Sequence, residues 1–247
     1  MIDTHAHLQG LVGGADEAVE AARAAGVAQI VCIGADVAAA REAIALAERH
    51  PGVYATVGLH PHSADQWSEQ TAAELAQLAR HPRVVAIGEC GLDYFRDHAP
   101  RAAQARAFAG QVALAESAGK PLVVHSRAAA DDSLAVLRAA RCPVILHCFS
   151  LPEHLDEAVE RGWYCSFAGN VTYPKAIELH EAAARVPDSL VLLETDCPYL
   201  TPVPHRGTPN RPERVLDTLA FVARLRDSDP TELAGIVERN AARVFAL

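Results

Sequence analysis

His5 and His7 stand two residues apart in the opening run Ile2-Asp3-Thr4-His5-Ala6-His7. Alternate side chains of an extended strand share one face, so both imidazoles project to the same side. Five more apolar runs end in groups able to bind a metal ion. They are Gly58-Leu59-His60-Pro61-His62, Gly88-Glu89-Cys90-Gly91, His125, His147 and Glu194-Thr195-Asp196. Imidazole and carboxylate donors suit Zn²⁺, Mn²⁺, Fe²⁺ or, with more oxygen ligation, Mg²⁺. The set His5, His7, Glu89, His125, His147 and Asp196 exceeds what one tetrahedral ion takes, so two divalent ions about 3.5–4 Å apart are expected. Glu89, between the two histidine groups, is the expected bridge. Such a pair brings a shared water toward a pKa of about 7 and clamps a phosphate oxygen. Asp196 is the expected proton acceptor.

Polar side chains on helix-packed strands cost free energy unless they are paired or ligated, so these groups need a scaffold on which they converge. Short Val/Ile/Leu runs alternate eight times with Ala/Glu/Arg-rich stretches of helical period. The runs are Ile2–His7, Gln29–Ala35, Val53–Pro61, Val84–Gly91, Leu122–Arg127, Val144–Ser150, Trp163–Asn170 and Leu190–Asp196. Helix patterns cover Ala15–Ala25, Val37–Arg49, Thr71–Ala79, Ala102–Ala118, Ser133–Ala140 and Pro152–Arg161, and two more begin at Arg211 and Pro230. Gly26, Pro51-Gly52, Pro82, Gly119 and Gly162 fall where helices should stop. Several strands are apolar on both faces, as in a parallel sheet covered by helices. At about 31 residues per unit the chain has the size of a (β/α)8 TIM barrel, whose carboxyl strand ends converge on one rim. The rival open sheet lacks a GxGxxG after its first strand. One α/β barrel domain over residues 1–247 is the expectation.

Composition removes several classes. A chain that is 50% hydrophobic and 21% charged is neither disordered nor fibrous. With 22 Lys+Arg against 31 Asp+Glu, the net charge of −9 speaks against coating duplex nucleic acid, but not against an enzyme that neutralises phosphate locally. No apolar stretch nears the roughly 20 residues of a membrane span. The start lacks a basic, then apolar, leader pattern. The six cysteines form no CxxC pair and no zinc-finger spacing, so reduced cytoplasmic thiols are expected, and the acidic, patterned surface is compatible with a monomer. Cys90, Cys148 and Cys197 each neighbour a proposed ligand and should turn to the opposite face, under the helices. His50, His81, His98, His154 and His180 read as solvated surface groups. Ser126 and Ser150 lack a nucleophile-elbow context.

The motifs Ile2-Asp3-Thr4-His5-Ala6-His7-Leu8, Gly58-Leu59-His60-Pro61-His62 and Gly88-Glu89-Cys90-Gly91-Leu92-Asp93-Tyr94 resemble those of TatD-like metal-dependent deoxyribonucleases. So do His125-Ser126-Arg127, His147-Cys148-Phe149-Ser150, Gly169-Asn170-Val171-Thr172 and Glu194-Thr195-Asp196-Cys197-Pro198-Tyr199-Leu200. The resemblance runs to Asn240–Phe245. It implies a TIM barrel of the metal-dependent hydrolase type, with His5, His7, Glu89 and Asp196 on one metal and Glu89, His125 and His147 on the other. It also implies phosphodiester hydrolysis, usually 3′-5′ exonuclease action on single-stranded or damaged DNA. Two features depart from the family pattern: a short segment Gln9–Gly14 after the first strand, and Asn210-Arg211-Pro212 where many members have Asn-Glu-Pro.

Substrate contacts are read from position. Arg127, two residues beyond His125, should share its side, as a phosphate ligand or a rim ion pair. His60 and His62 could meet a phosphate or pack a loop. His205, Arg206 and Arg211 lie in a Pro-rich basic loop after the eighth strand, where barrels often bind phosphate. Tyr94, Phe95 and Tyr173 could stack bases or cover the core. The competing functions are an amidohydrolase or lactonase, a small-molecule phosphoesterase, and a metal-binding module without catalysis. The first often bridges its ions with a carbamylated lysine, whereas this chain has only Lys120 and Lys175 and offers Glu89.

Overall fold

A computed structural model describes all of residues 1–247. Its eight strands are β1 (Ile2–Ala6), β2 (Gln29–Cys32), β3 (Val53–Val57), β4 (Val84–Asp93), β5 (Leu122–Arg127), β6 (Val144–Leu146), β7 (Tyr164–Phe167) and β8 (Val191–Leu193). They pair in parallel in sequence order. Between them lie α1 (Ala15–Ala24), α2 (Val37–Arg49), α3 (Glu69–Leu78), α4 (Arg101–Ala118), α5 (Ala130–Leu137), α6 (Leu155–Glu160) and α7 (Ile177–Arg185); α8 (Val215–Leu225) and α9 (Pro230–Phe245) end the chain. This is the expected (β/α)8 barrel. Every residue of β1 and β4 is buried, as a sheet covered by helices requires. Asp36, Ser68 and Asp229 accept backbone N–H groups at the starts of α2, α3 and α9, the role that suits short polar side chains. No helix is long and apolar enough to cross a membrane.

The structure corrects the expected boundaries where they matter for the site. β6 and β8 were expected to reach Ser150 and Asp196 but end at Leu146 and Leu193. Cys148 and Asp196 take left-handed backbone, with φ of 43° and 54°, which an extended ladder cannot continue. The sequence reading has no helix between the seventh and eighth runs. α7 escapes it because the helix buries only Ala182 and Ala183 and leaves Ile177 exposed, so its apolar periodicity is faint. His180, expected in solvent, packs half-buried on α7 with its ring 5.3 Å from that of Phe221 on α8.

Two devices position the strand ends. The β4–β5 register shifts between Ile87 and Cys90, and Gly88 in this bulge and Gly91 just beyond it have positive φ. A Cβ at Gly91 would stand 2.0 Å from the His125 carbonyl oxygen, so the two strands approach in a way only glycine permits. The seam between β1 and β8 is the second. Asp196 N donates to His5 O and His7 N to Cys197 O, each at 2.9 Å. Below them the buried Asp3 carboxylate replaces a ladder: Oδ1 accepts from Thr195 N (2.9 Å) and His5 N (3.2 Å), and Oδ2 from the Thr195 hydroxyl (2.5 Å).

Removing a buried acceptor leaves its donors unsatisfied at about 1–3 kcal/mol each. We expect Asp3→Ala to lose about 3 kcal/mol or more in chemical denaturation. Asp3→Asn keeps one oxygen for both backbone N–H groups and should lose much less. Equal losses would refute the seam as drawn.

Candidate metal centre

Five imidazoles surround one carboxylate. Glu89, lifted inward by the β4 bulge and 2% exposed, has Nε2 of His5 and Nε2 of His7 each 3.4 Å from its Oε2. Its Oε1 lies 3.0 Å from His125 Nδ1 and 3.4 Å from Nε2 of both His60 and His147. Asp196 closes the cluster, with Oδ1 3.3 Å from His7 Nε2 and 3.7 Å from His5 Nε2. Three triplets have ligand atoms mutually within 4.8 Å: His5, Glu89 and His147; His5, His7 and Asp196; and His60, Glu89 and His125. The structure thus brings together all six side chains expected at the rim, each from a different strand end except the β1 pair.

Glu89 Oε2 is fully buried and receives no hydrogen bond, which is costly for an ionised group unless a cation compensates. Nitrogen and oxygen lone pairs converge there and no thiolate joins them, so the donor set fits a divalent cation of the Zn, Mn or Mg kind. Charges confirm the mutual dependence. Burial alone would raise the Glu89 carboxyl, yet the surrounding imidazoles, His60 and His147 foremost, hold it well below the usual carboxylate range. Burial would lower His7, but Asp196 and Glu89 lift it to about 10; against the same burial, Glu194 and Glu89 lift His147 to about 9. Asp196 is held low, despite burial, by His7 and His147.

Two acidic groups outside the expected ligand set, Glu194 and Asp93, support the cluster from behind. Glu194 Oε1 stands 2.7 Å from His147 Nδ1 and accepts from Cys148 N at 2.8 Å, while Ser166 Oγ donates to Oε2 at 2.6 Å. Asp93 Oδ2 pairs with Nε2 of His125 (3.1 Å) and of His62 (3.0 Å). Its Oδ1 accepts the Phe95 and Arg96 N–H groups at 3.0 and 2.8 Å. Both residues stand in the quoted motifs, but only the relative heights of neighbouring strands reveal what they touch.

The cluster forms the floor of a polar-walled cavity of about 780 Å³, whose mouth carries Arg96, His98, Arg127, Asn170 and Tyr199. His98 and Cys148, expected elsewhere, line it. Cys148 turns inward because its left-handed backbone breaks the two-residue alternation. Cys90 and Cys197 are buried as expected. His60, read as a substrate contact, stands inside the donor cluster: it caps the 3-10 turn Pro61–Gln66, and its Nδ1 accepts His62 N, which turns Nε2 inward. Arg127 lines the cavity without an acidic partner, its guanidinium 4.1 Å from the Phe95 ring centre.

Of the expected substrate contacts, Tyr94, Phe95, Tyr173, His205, Arg206 and Arg211 do not line this cavity. Tyr94 faces a neighbouring cavity with Asp131 and Asp132; its hydroxyl is tied to Asp132 and Arg101 covers its ring. His205 pairs with Asp217, and Arg206 lies over Tyr173. Arg211, in the divergent Asn-Arg-Pro, pairs with Glu213 and Glu17.

Comparison with known proteins identifies a family. Residues 2–246 match the family model described as TatD related DNase. The chain is 42% identical to an uncharacterized metal-dependent hydrolase TatD of Mycobacterium tuberculosis, covering 100% of this chain and 98% of that protein. It is 36% identical to the 3′-5′ ssDNA/RNA exonuclease TatD of Musicola paradisiaca over 94% and 92% of the two chains. The crystal structure of the TatD homolog YjjV from Escherichia coli superimposes with a TM-score of 0.94 at 30% identity, covering 100% of this chain and 98% of that one.

Histidine must be neutral to ligate, and His7 and His147 are raised above their ordinary 6.5, so both carry protons at neutral pH before a cation binds. Cation uptake should therefore release protons, and affinity should weaken as pH falls. Calorimetry in buffers of different ionisation enthalpy measures this; uptake without proton release would exclude His7 and His147 as ligands. Glu194→Gln should weaken cation affinity about ten- to a hundredfold by freeing the His147 ring, and unchanged affinity would contradict that support.

Proposed function

The chain belongs to the TatD-related DNase family of metal-dependent hydrolases, and from that membership together with its site we propose that it hydrolyses phosphodiesters as a 3′-5′ exonuclease on single-stranded or damaged DNA. The observation that carries the reading is a buried Glu89 ringed by imidazoles at the floor of a cavity whose mouth holds Arg96 and Arg127 without acidic partners. His5, His7, Glu89 and Asp196 would hold one divalent cation, and Glu89, His125 and His147 the other. Such a pair supplies Lewis acidity toward a phosphoryl oxygen and brings water toward a pKa of about 7.

The side chains then divide the work. Asp196, 13% exposed and the most solvent-facing carboxylate of the cluster, is held ionised and takes the proton of the attacking water. His60 adds a fifth imidazole around Glu89 and keeps that carboxylate charged. Arg127 and Arg96 offer guanidinium forks to the phosphates on either side of the scissile bond, a geometry that suits phosphate oxygens. Local positive charge at the mouth lets a chain of net charge −9 accept a polyanion at this one place. Neither lysine lines the cavity, and Lys120 Nζ donates to Val84 O at the opposite end of β4, so a carbamylated-lysine bridge has no residue to form it.

A 5′-labelled single-stranded oligonucleotide tests the reading. The metal-loaded protein should shorten it stepwise from the 3′ end, Asp196→Asn should slow the reaction by a factor of about 100 or more, and Glu89→Ala should abolish it while leaving a folded barrel. Intact single-stranded, abasic and RNA substrates beside rapid hydrolysis of a carboxylic ester or amide would overturn it in favour of an amidohydrolase or lactonase.

A further inference from the structure

The large apolar side chains left well exposed are Val12, Phe95, Ile177, Tyr199 and Val203. Four of them, Val12, Phe95, Tyr199 and Val203, lie in the connections that leave the carboxyl ends of β1, β4 and β8, the rim that holds the cavity. Two of them are aromatic, and in both the backbone is pinned by hydrogen bonds while the ring stays well exposed. Tyr199 is 60% exposed on the cavity wall, its ring 5.9 Å from that of His7. Its N–H donates to Asp196 O at 2.9 Å and its carbonyl accepts from the buried Asn210 amide at 2.7 Å. Phe95 is 65% exposed, and its N–H donates to Asp93 Oδ1 at 3.0 Å. Arg127, at the mouth, lies against its ring.

An exposed aromatic ring costs solvation that burial would recover, and a pinned backbone removes the ordering cost of using it. β4 and β8 are four places apart in a ring of eight strands, so the loops carrying Phe95 and Tyr199 face each other across the mouth. Strands about 4.8 Å apart and tilted about 36° enclose a ring about 15 Å across, which is the scale of one phosphodiester with a base on each side.

We infer that Phe95 and Tyr199 are two base-stacking platforms on opposite sides of the mouth, which take the bases flanking the scissile phosphodiester of a single strand. This rests on the nuclease reading and narrows it: the substrate is recognised by unpaired, splayed bases, independent of sequence, because every base offers a π-face. The Arg127 guanidinium backs the Phe95 ring from one side and leaves its other side for a base. A duplex, whose bases are stacked and paired, presents neither face until its end frays.

The test compares two 5′-labelled oligonucleotides of equal length, one with all its bases and one with abasic residues on both sides of the 3′-terminal phosphodiester. On the base-bearing strand, Tyr199→Ala and Phe95→Leu should each raise KM about tenfold with kcat within about twofold, and Tyr199→Phe should restore KM. On the abasic strand the variants should match the parent protein. A 2-aminopurine placed at either flanking position should be quenched on binding to the manganese-loaded parent and not to the matching variant. Unchanged KM with unaltered quenching would overturn the inference, as would an equal rise on both strands. A parent protein that quenches 2-aminopurine yet cuts neither strand would sink the nuclease reading and leave the platforms standing.

Discussion

A carboxylate buried among five nitrogen donors is the constraint on which the rest of the structure depends. Glu89 cannot hold its charge in that environment unless positive charge accompanies it, and in this barrel either protonated imidazoles or divalent cations meet the requirement. The outer partners follow from the same need. Glu194 and Asp93 hold His147 and His125 by their far nitrogens, and Ser166 and the Cys148 backbone hold Glu194 in turn. Each layer fixes the orientation of the one inside it, so that the donors converge before anything binds.

Bringing these groups together is a problem of backbone as much as of side chains. Glu89 reaches the centre because β4 bulges over β5 at Gly88; there and at Gly91 a side chain would collide with the β5 carbonyls. His5 and Asp196 meet because the β1–β8 seam is stitched at their own backbone atoms and, one step lower, by Asp3. The two departures from regular strand geometry thus sit directly beneath the two halves of the cluster.

Much of this was legible in the chain. The alternation of eight apolar runs and helical stretches gives the barrel, and the placement of His5, His7, Glu89, His125, His147 and Asp196 at run ends gives their convergence, since a parallel barrel has one carboxyl rim. What escaped depended on features that linear periodicity does not carry. Cys148 adopts left-handed backbone, which cancels the alternation that assigned its face, and the same conformation at Asp196 stops β8 short of the expected end. His60 turns inward through a 3-10 turn that no strand pattern announces. Asp93 and Glu194 act through residues 32 and 47 positions away, and Tyr94, read as a stacking group, is claimed by Arg101 and Asp132. α7 buries too little to leave a pattern.

The short segment Gln9–Gly14 and the Arg211 that pairs with Glu17 and Glu213 illustrate what this construction permits. The donors of the cluster are fixed by strand ends, the seam, buried outer partners and, for His60, a 3-10 turn, and none of these lies in Gln9–Gly14 or at Arg211. Insertions, deletions and charge reversals at these two places therefore reshape the entrance while the chemistry beneath stays constant. A scaffold so divided can diversify its clientele one loop at a time, keeping a single inherited engine.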